Sequence, residues 1–373
     1  MKKFILPVIV LALAFYGLSS WTTHETSRNL TADFEYGDLQ IGSINALSFG
    51  PEGILFIGDS KNAMVYAVDT KDTGVKDEGG EINMRNFDQT IAASLGTTAD
   101  KITISDMVVN PKSKTPYFGV NLEDGTAVLL RLKGEALENV SLKEVSFSKT
   151  SLANAVDANA KDRRERPLRV WAIADLKFHG DRVLVSGLSN KEFASTFRSI
   201  PFPFNDSQDQ TSLEIWHAAH GKYETHAPIK TFDIVSLNNQ DYLMASYTCT
   251  PLVLFPMNEL ENGKHIKGRT VAELGAGNSP LDMISYQKEG KQYFLMSNSN
   301  RPVMRLDYED IANFKETLTE PVTEFAVATG VPYDNLPFPY VQQMDNLDDS
   351  HVLYIQRTGN GELILRSRST KWM

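Results

Sequence analysis

The chain has 373 residues, 42% hydrophobic and 23% charged, the balance of a folded globular protein rather than a disordered one. Its formal net charge is −10, two units more negative without Lys2 and Lys3, which argues against nucleic acid or anionic membrane as partner because both repel an acidic surface. A single cysteine, Cys249, excludes an internal disulfide, so stability must come from burial and sheet pairing.

The first element is a leader. Lys2-Lys3, the uncharged apolar run from Phe4 to Tyr16 and the small residues around Gly17-Leu18-Ser19-Ser20 read as a secretory signal peptide over 1–20. The apolar run is shorter than the roughly 20 residues of a spanning helix, so cleavage is expected, with no stable membrane insertion afterwards. Residues 21–28 are then a linker and 29–373 one domain, periplasmic, cell-surface or secreted.

Next comes a hairpin pattern. In "LSFGPEGILFIGD", Leu47 and Phe49 precede a Gly50-Pro51-Glu52-Gly53 turn and the apolar run from Ile54 to Ile57. Similar pairs start at Ile104, Ile173, Thr231, Pro280 and Val341. Aligning them on Ala46, Asp106, Asp175, Asp233, Asp282 and Gln343 gives steps of 60, 69, 58, 49 and 61 residues. A third strand usually follows, as in "MVYAVD" from Met64, "AVLLRL" from Ala127, "SLEIWH" from Ser212, "VMRLD" from Val303 and "ELILRS" from Glu362. Weaker fourth strands are expected at "EINMRNF" (from Glu81) and "VTEFAV" (from Val322).

Four-stranded units at this pitch predict an all-β fold, a β-propeller of four-stranded blades. Six blades is the count, seven the alternative if one unit is too degenerate to see. The last unit lacks a fourth strand, and the spare strand "NLTADFEY" from Asn29 is expected to close the ring there, removing both free edges. The repeats resemble the YVTN/NHL-type β-propeller superfamily, best in "GAGNSPLDMISYQKEGKQYFLMSNSNRPVMRLD" from Gly275. That resemblance implies architecture alone, since lactonases, oxidoreductase subunits and binding platforms share it.

Two insertions are expected. "SLANAVDANAKDRRER" (151–166) reads as a short helix with Leu152, Val156 and Ala160 on one face. "FASTFRSIPFPFNDSQDQT" (193–211) reads as a long loop, and "VPYDNLPFPYVQQ" (331–343) as a similar lead into the sixth unit. Their Pro/aromatic character suits either an apolar rim for a ligand or a packed cover.

Candidate site residues follow from which loops share a face. Asp106, Asp175, Asp233 and Asp282 each start an innermost strand. Carboxylates around a narrow channel repel by roughly 3 kcal/mol per pair at about 6 Å and an effective dielectric near 20. A bound cation (Ca²⁺ or another divalent ion), raised pKa values or backbone N–H donors would offset this. In "WHAAHGKYETHAP", His217 and His220 would point to opposite faces of a strand, which spoils a chelating pair. His226 lies on the loop leading to Asp233, and Cys249 on a second-to-third-strand loop of the same face; together they could ligate copper or zinc. Arg198, Lys230 and Arg301 are candidate contacts to an acidic ligand.

P-loop, Rossmann, nucleophile-elbow and haem-attachment motifs are all missing from the sequence. The expectation is an exported propeller that binds a small molecule or another exported protein through its loop face. The alternative is a metal-dependent enzyme or redox subunit, lactonase-like or oxidoreductase-associated, with its site at the channel mouth.

Overall fold

Leu47 pairs with Ile57 and Phe49 with Leu55, so the opening hairpin forms in the register its alternation requires. A computed structural model describes residues 29–373; the expected signal peptide and linker lie outside the described residues. Gly50 is needed at the turn because a Cβ there would stand 2.5 Å from the Phe56 ring. Among the described residues, no helix is long and apolar enough to cross a membrane.

Six antiparallel sheets form a six-bladed β-propeller. In chain order the innermost strands are Ala46–Phe49, Ile102–Val109, Asp175–His179, Thr231–Leu237, Pro280–Lys288 and Val341–Asp348, and the blades are numbered one to six accordingly. Chain order is not ring order. Six apolar clusters fill the gaps between blades and join one to two, two to six, six to five, five to four, four to three and three to one. Blade two therefore sits between blades six and one.

Two exchanges of outer strands accompany this order. Val145–Ser151, after blade two, returns to pair with Met64–Asp69 as the fourth strand of blade one. Asn83–Met84, before blade two, pairs with Leu363–Ser369 and completes blade six. Arg85 and the Asn86 N–H both hold the Glu362 carboxylate beside it, at 3.1 and 2.9 Å. Closure by the N-terminal strand is thus corrected: Glu35–Gly37 pairs with Val145–Ser151 as a fifth strand on blade one. "EINMRNF" is a fourth strand, but of the last blade. The connection before it crosses under blade two, where Asp72 binds the side chains of Asn110, Ser113 and Tyr117.

Both expected loops contain strands. Ser195–Pro201 is the third strand of blade three, so "SLEIWH" belongs to the fourth, Asp209–His217. Asp334–Pro339 is the fourth strand of blade five, while 322–327 forms none. Proline is tolerated there because both stretches run beside outer edges or strand ends. Phe202 and Phe338 are buried, Phe204 is half-buried and Tyr340 is exposed, so each stretch packs one aromatic into the core and leaves its neighbour nearer the surface. The expected helix over 151–166 is absent: the segment meets blade three through the bridge Ala155–Ser189 and folds back on itself through the bridge Lys161–Pro167. Its spacing still marks burial, with Leu152 and Val156 in the core.

Candidate functional site

Three of the four channel aspartates are fastened by the neighbouring blades, and Asp233 by its own strand. Each N-terminal strand start leaves backbone N–H groups facing the next blade, and the carboxylates accept them. Asp106 accepts from Leu47 at 2.6 Å, Asp175 from Phe232 at 3.0 Å and Asp282 from Met344 at 2.7 Å. Asp233 accepts from Ile234 at 2.9 Å.

One pleat further along, two residues missed in the sequence complete the set. Asp345 accepts the Val109 N–H at 2.7 Å. Lys177 reaches across the channel from blade three, donating to the Met283 carbonyl of blade five at 2.9 Å and lying 3.5 Å from Asp233. Both stand two residues after an aligned position (Gln343 and Asp175), the same face of the same strand, so the strand period was the available signal.

Burial, then the charges of Asp282 and Asp175, push Asp106 well above the usual carboxylate range. Burial raises Asp175 as well, takes Asp282 to about 7 and takes Asp345 to about 6. Burial opposes the charge on Lys177, but Asp233, Asp175, Asp282 and Asp345 outweigh it and lift its pKa above the ordinary lysine value. Backbone donors and one lysine thus offset part of the ring's charge, and the raised carboxyl pKa values relieve more of it.

A different group of side chains converges on the loop face between blades three and four. The strand Asp209–His217 ends in one 3₁₀ turn, Ala218–His220, closed by Gly221 at φ 61° before Lys222–Glu224 returns. A 3₁₀ turn eclipses residues i and i+3, so His217 and His220 face the same way, with ring centroids 3.8 Å apart. This overturns the expectation of opposite faces. Glu224 holds both rings by Nδ1, one on each oxygen, at 2.7 and 2.8 Å. Burial works against the charge of Glu224, but the hydrogen bonds from His217 and His220 prevail and keep it at about 2.

Cys249 approaches from blade four. It lies on the turn between Gln240–Ser246 and Pro251–Pro256, where Cys249 and Thr250 take consecutive left-handed conformations, φ 66° and 64°. Two such non-glycine residues cost of order 1–3 kcal/mol each. They are held by Cys249 N–H to the Asn278 carbonyl (2.8 Å) and Thr250 Oγ1 to the Gly275 carbonyl (2.9 Å). His217, His220 and Cys249 each bring a ligating atom within 4.8 Å of the others.

Glu273 lies beneath. It is 0% exposed; its Oε2 accepts the Ala219 N–H at 3.2 Å and stands 4.0 Å from His217 Nε2. Neither its Oε1 nor His217 Nε2 has a hydrogen-bond partner among the described residues. Burial chiefly, and the nearby Glu224 charge, raise Glu273 to about 7.

The remaining candidates are placed elsewhere. His226 is exposed and outside the group around Cys249. Arg198 is 0% exposed inside blade three and donates to the Ala153 carbonyl at 3.1 Å, so it is not a surface contact. Lys230 lies 3.4 Å over the Trp171 ring, with burial lowering it to about 8. Arg301 binds the carbonyls of Ala276 and Ala326 at 3.5 and 3.2 Å.

No known protein family matches the chain, and no curated protein does. Several solved structures are similar in shape. One, a protein of Thermus thermophilus provisionally described as an oxidoreductase (glucose dehydrogenase), has 10% identity and a TM-score of 0.33 over 90% of this chain and 100% of its own. The plexin A4 extracellular region has 8% identity and a TM-score of 0.38 over 89% and 46%. Raptor from Chaetomium thermophilum has 10% identity and a TM-score of 0.36 over 91% and 30%.

Proposed function

We propose that the chain is an exported propeller of YVTN/NHL type that binds its ligand on the loop face, at the junction of blades three and four. The observation that carries this reading is the pair of buried groups without partners among the described residues, His217 Nε2 and Glu273 Oε1, beside a half-buried thiol on a strained turn. A buried polar group left unsatisfied costs about 1–3 kcal/mol. Two of them on neighbouring side chains are an arrangement that a ligand, not the fold, rewards. The channel carboxylates are not in this position, since each already accepts a backbone N–H.

Glu273→Gln tests this without knowledge of the ligand. The amide keeps an oxygen for the Ala219 N–H and removes a buried, half-satisfied carboxylate that stands beside the charge of Glu224. In protein refolded from denaturant, which strips a bound ligand, the variant should be more stable by about 1 kcal/mol. Urea melts read the difference; a loss of stability would make Glu273 a structural residue and remove the reading.

A further inference from the structure

Resting on the loop-face site just proposed, we infer that its ligand is a zinc-type divalent transition-metal ion held by His217 Nε2, His220 Nε2 and Cys249 Sγ, with Glu273 as fourth donor. The chemistry of the donors excludes the hard cations suggested by the aspartates: two imidazoles and a thiol suit zinc and its neighbours, whereas calcium takes oxygen ligands. The imidazoles are prepared for ligation. With each Nδ1 engaged by Glu224, the Nε2 atoms carry the free lone pairs, the carboxylate–histidine arrangement that orients metal-binding rings.

Nothing in the fold consumes those lone pairs. His217 is 2% exposed, and its Nε2 is unpartnered among the described residues. His217, His220 and Cys249 each offer a ligand atom within 4.8 Å of the others, and these must close by roughly 1 Å onto an ion with bonds of about 2.0–2.3 Å. The elements carrying them permit this, because Cys249 and His220 sit on turns rather than within strands. His220, with 44% of its side chain exposed, marks the side from which an ion enters. Glu273 stands outside that group of three, its Oε2 4.0 Å from His217 Nε2 on the buried side, and must move toward the ion to act as fourth donor. The single cysteine then has a use in a compartment where a free thiol is otherwise a liability.

Cobalt(II) is the probe. Added to the full mature chain, it should bind about one ion per chain, with a thiolate-to-cobalt charge-transfer band and d–d bands of tetrahedral intensity, both abolished by excess zinc. Zinc should also block alkylation of Cys249 by iodoacetamide in the unaltered protein, a readout that needs no variant to fold. His217→Ala, His220→Ala and Cys249→Ser should each weaken cobalt binding at least 100-fold, Glu273→Gln about 10-fold with shifted d–d bands, and His226→Ala not at all. A cobalt complex without the charge-transfer band, or alkylation unaffected by zinc, overturns the inference. So does calcium stabilising the unaltered chain and Cys249→Ser equally while zinc does neither. If Glu273→Gln stabilises the stripped protein yet cobalt does not bind, the site stands and its ligand is not a metal. If Glu273→Gln destabilises it, both readings fall.

Discussion

Lys177→Met should lower the free energy of unfolding by about 3–5 kcal/mol at pH 7.5, the loss expected when one partner is removed from a buried charge cluster. Methionine keeps the length of the lysine stem, so the change removes chiefly the charge and the bond to the Met283 carbonyl. What remains is a channel with Asp106, Asp175, Asp233, Asp282 and Asp345 and, among the described residues, no cation paired with them. The deficit should depend on pH, with a determined sign. Asp282 and Asp345 have folded pKa values of about 7 and about 6, above the roughly 3.9 of an unfolded aspartate. The native state therefore holds more protons than the unfolded state between those values, and stability falls as pH rises from about 4 to about 7.

Removing Lys177 raises those folded values further, so lowering the pH to 5 should recover much of the loss. Asp282→Asn and Asp345→Asn keep an oxygen for Met344 and Val109 while deleting a charge, and each should flatten the slope. Urea melts of the four proteins between pH 4.5 and 8 decide it. A Lys177→Met deficit that is small, or equal at pH 5 and 7.5, would mean that channel water screens these charges and the lysine is not their counter-ion.

The same ring shows why some of the site was legible and some was not. Inner strands announce themselves by alternation over a buried face, as at Thr231–Leu237 or Pro280–Lys288, so the six units and their leading aspartates could be aligned. Outer strands are half-exposed and short. Asn83–Met84 has two residues and no apolar alternation, so nothing local told which blade it joins. Ser195–Pro201 is hidden differently: it is buried on both faces and reads without polar–apolar alternation, whereas its fourth-strand neighbour Asp209–His217 alternates clearly. The meeting of His217 and His220 was hidden for another reason: three residues apart, they point to opposite faces on a continuous strand and the same way across a 3₁₀ turn. Gly221, one residue later, was the only mark of that turn. Cys249 came from the next blade, and no spacing rule links residues that meet across an inter-blade gap.

Phe56→Ala should cost about 3–5 kcal/mol, and its coupling tests the order of the ring. Phe56 is 0% exposed and meets Phe202 edge-on at 4.8 Å and Phe178 stacked at 5.3 Å. Both partners belong to blade three, although blade two lies between the two in the sequence. A ring built in chain order would place blade two in that gap and leave these aromatics apart. In a double-mutant cycle, Phe56→Ala and Phe202→Ala should therefore be non-additive by about 0.5–1.5 kcal/mol, the worth of an aromatic pair beyond its buried area. Phe118, on the far side of blade two in the cluster shared with blade six, is the control, and Phe118→Ala should add to Phe56→Ala without coupling. Were Phe56 coupled to Phe118 and not to Phe202, the exchange of outer strands would be wrong too, because Val145–Ser151 can complete blade one only if the chain doubles back past blade two.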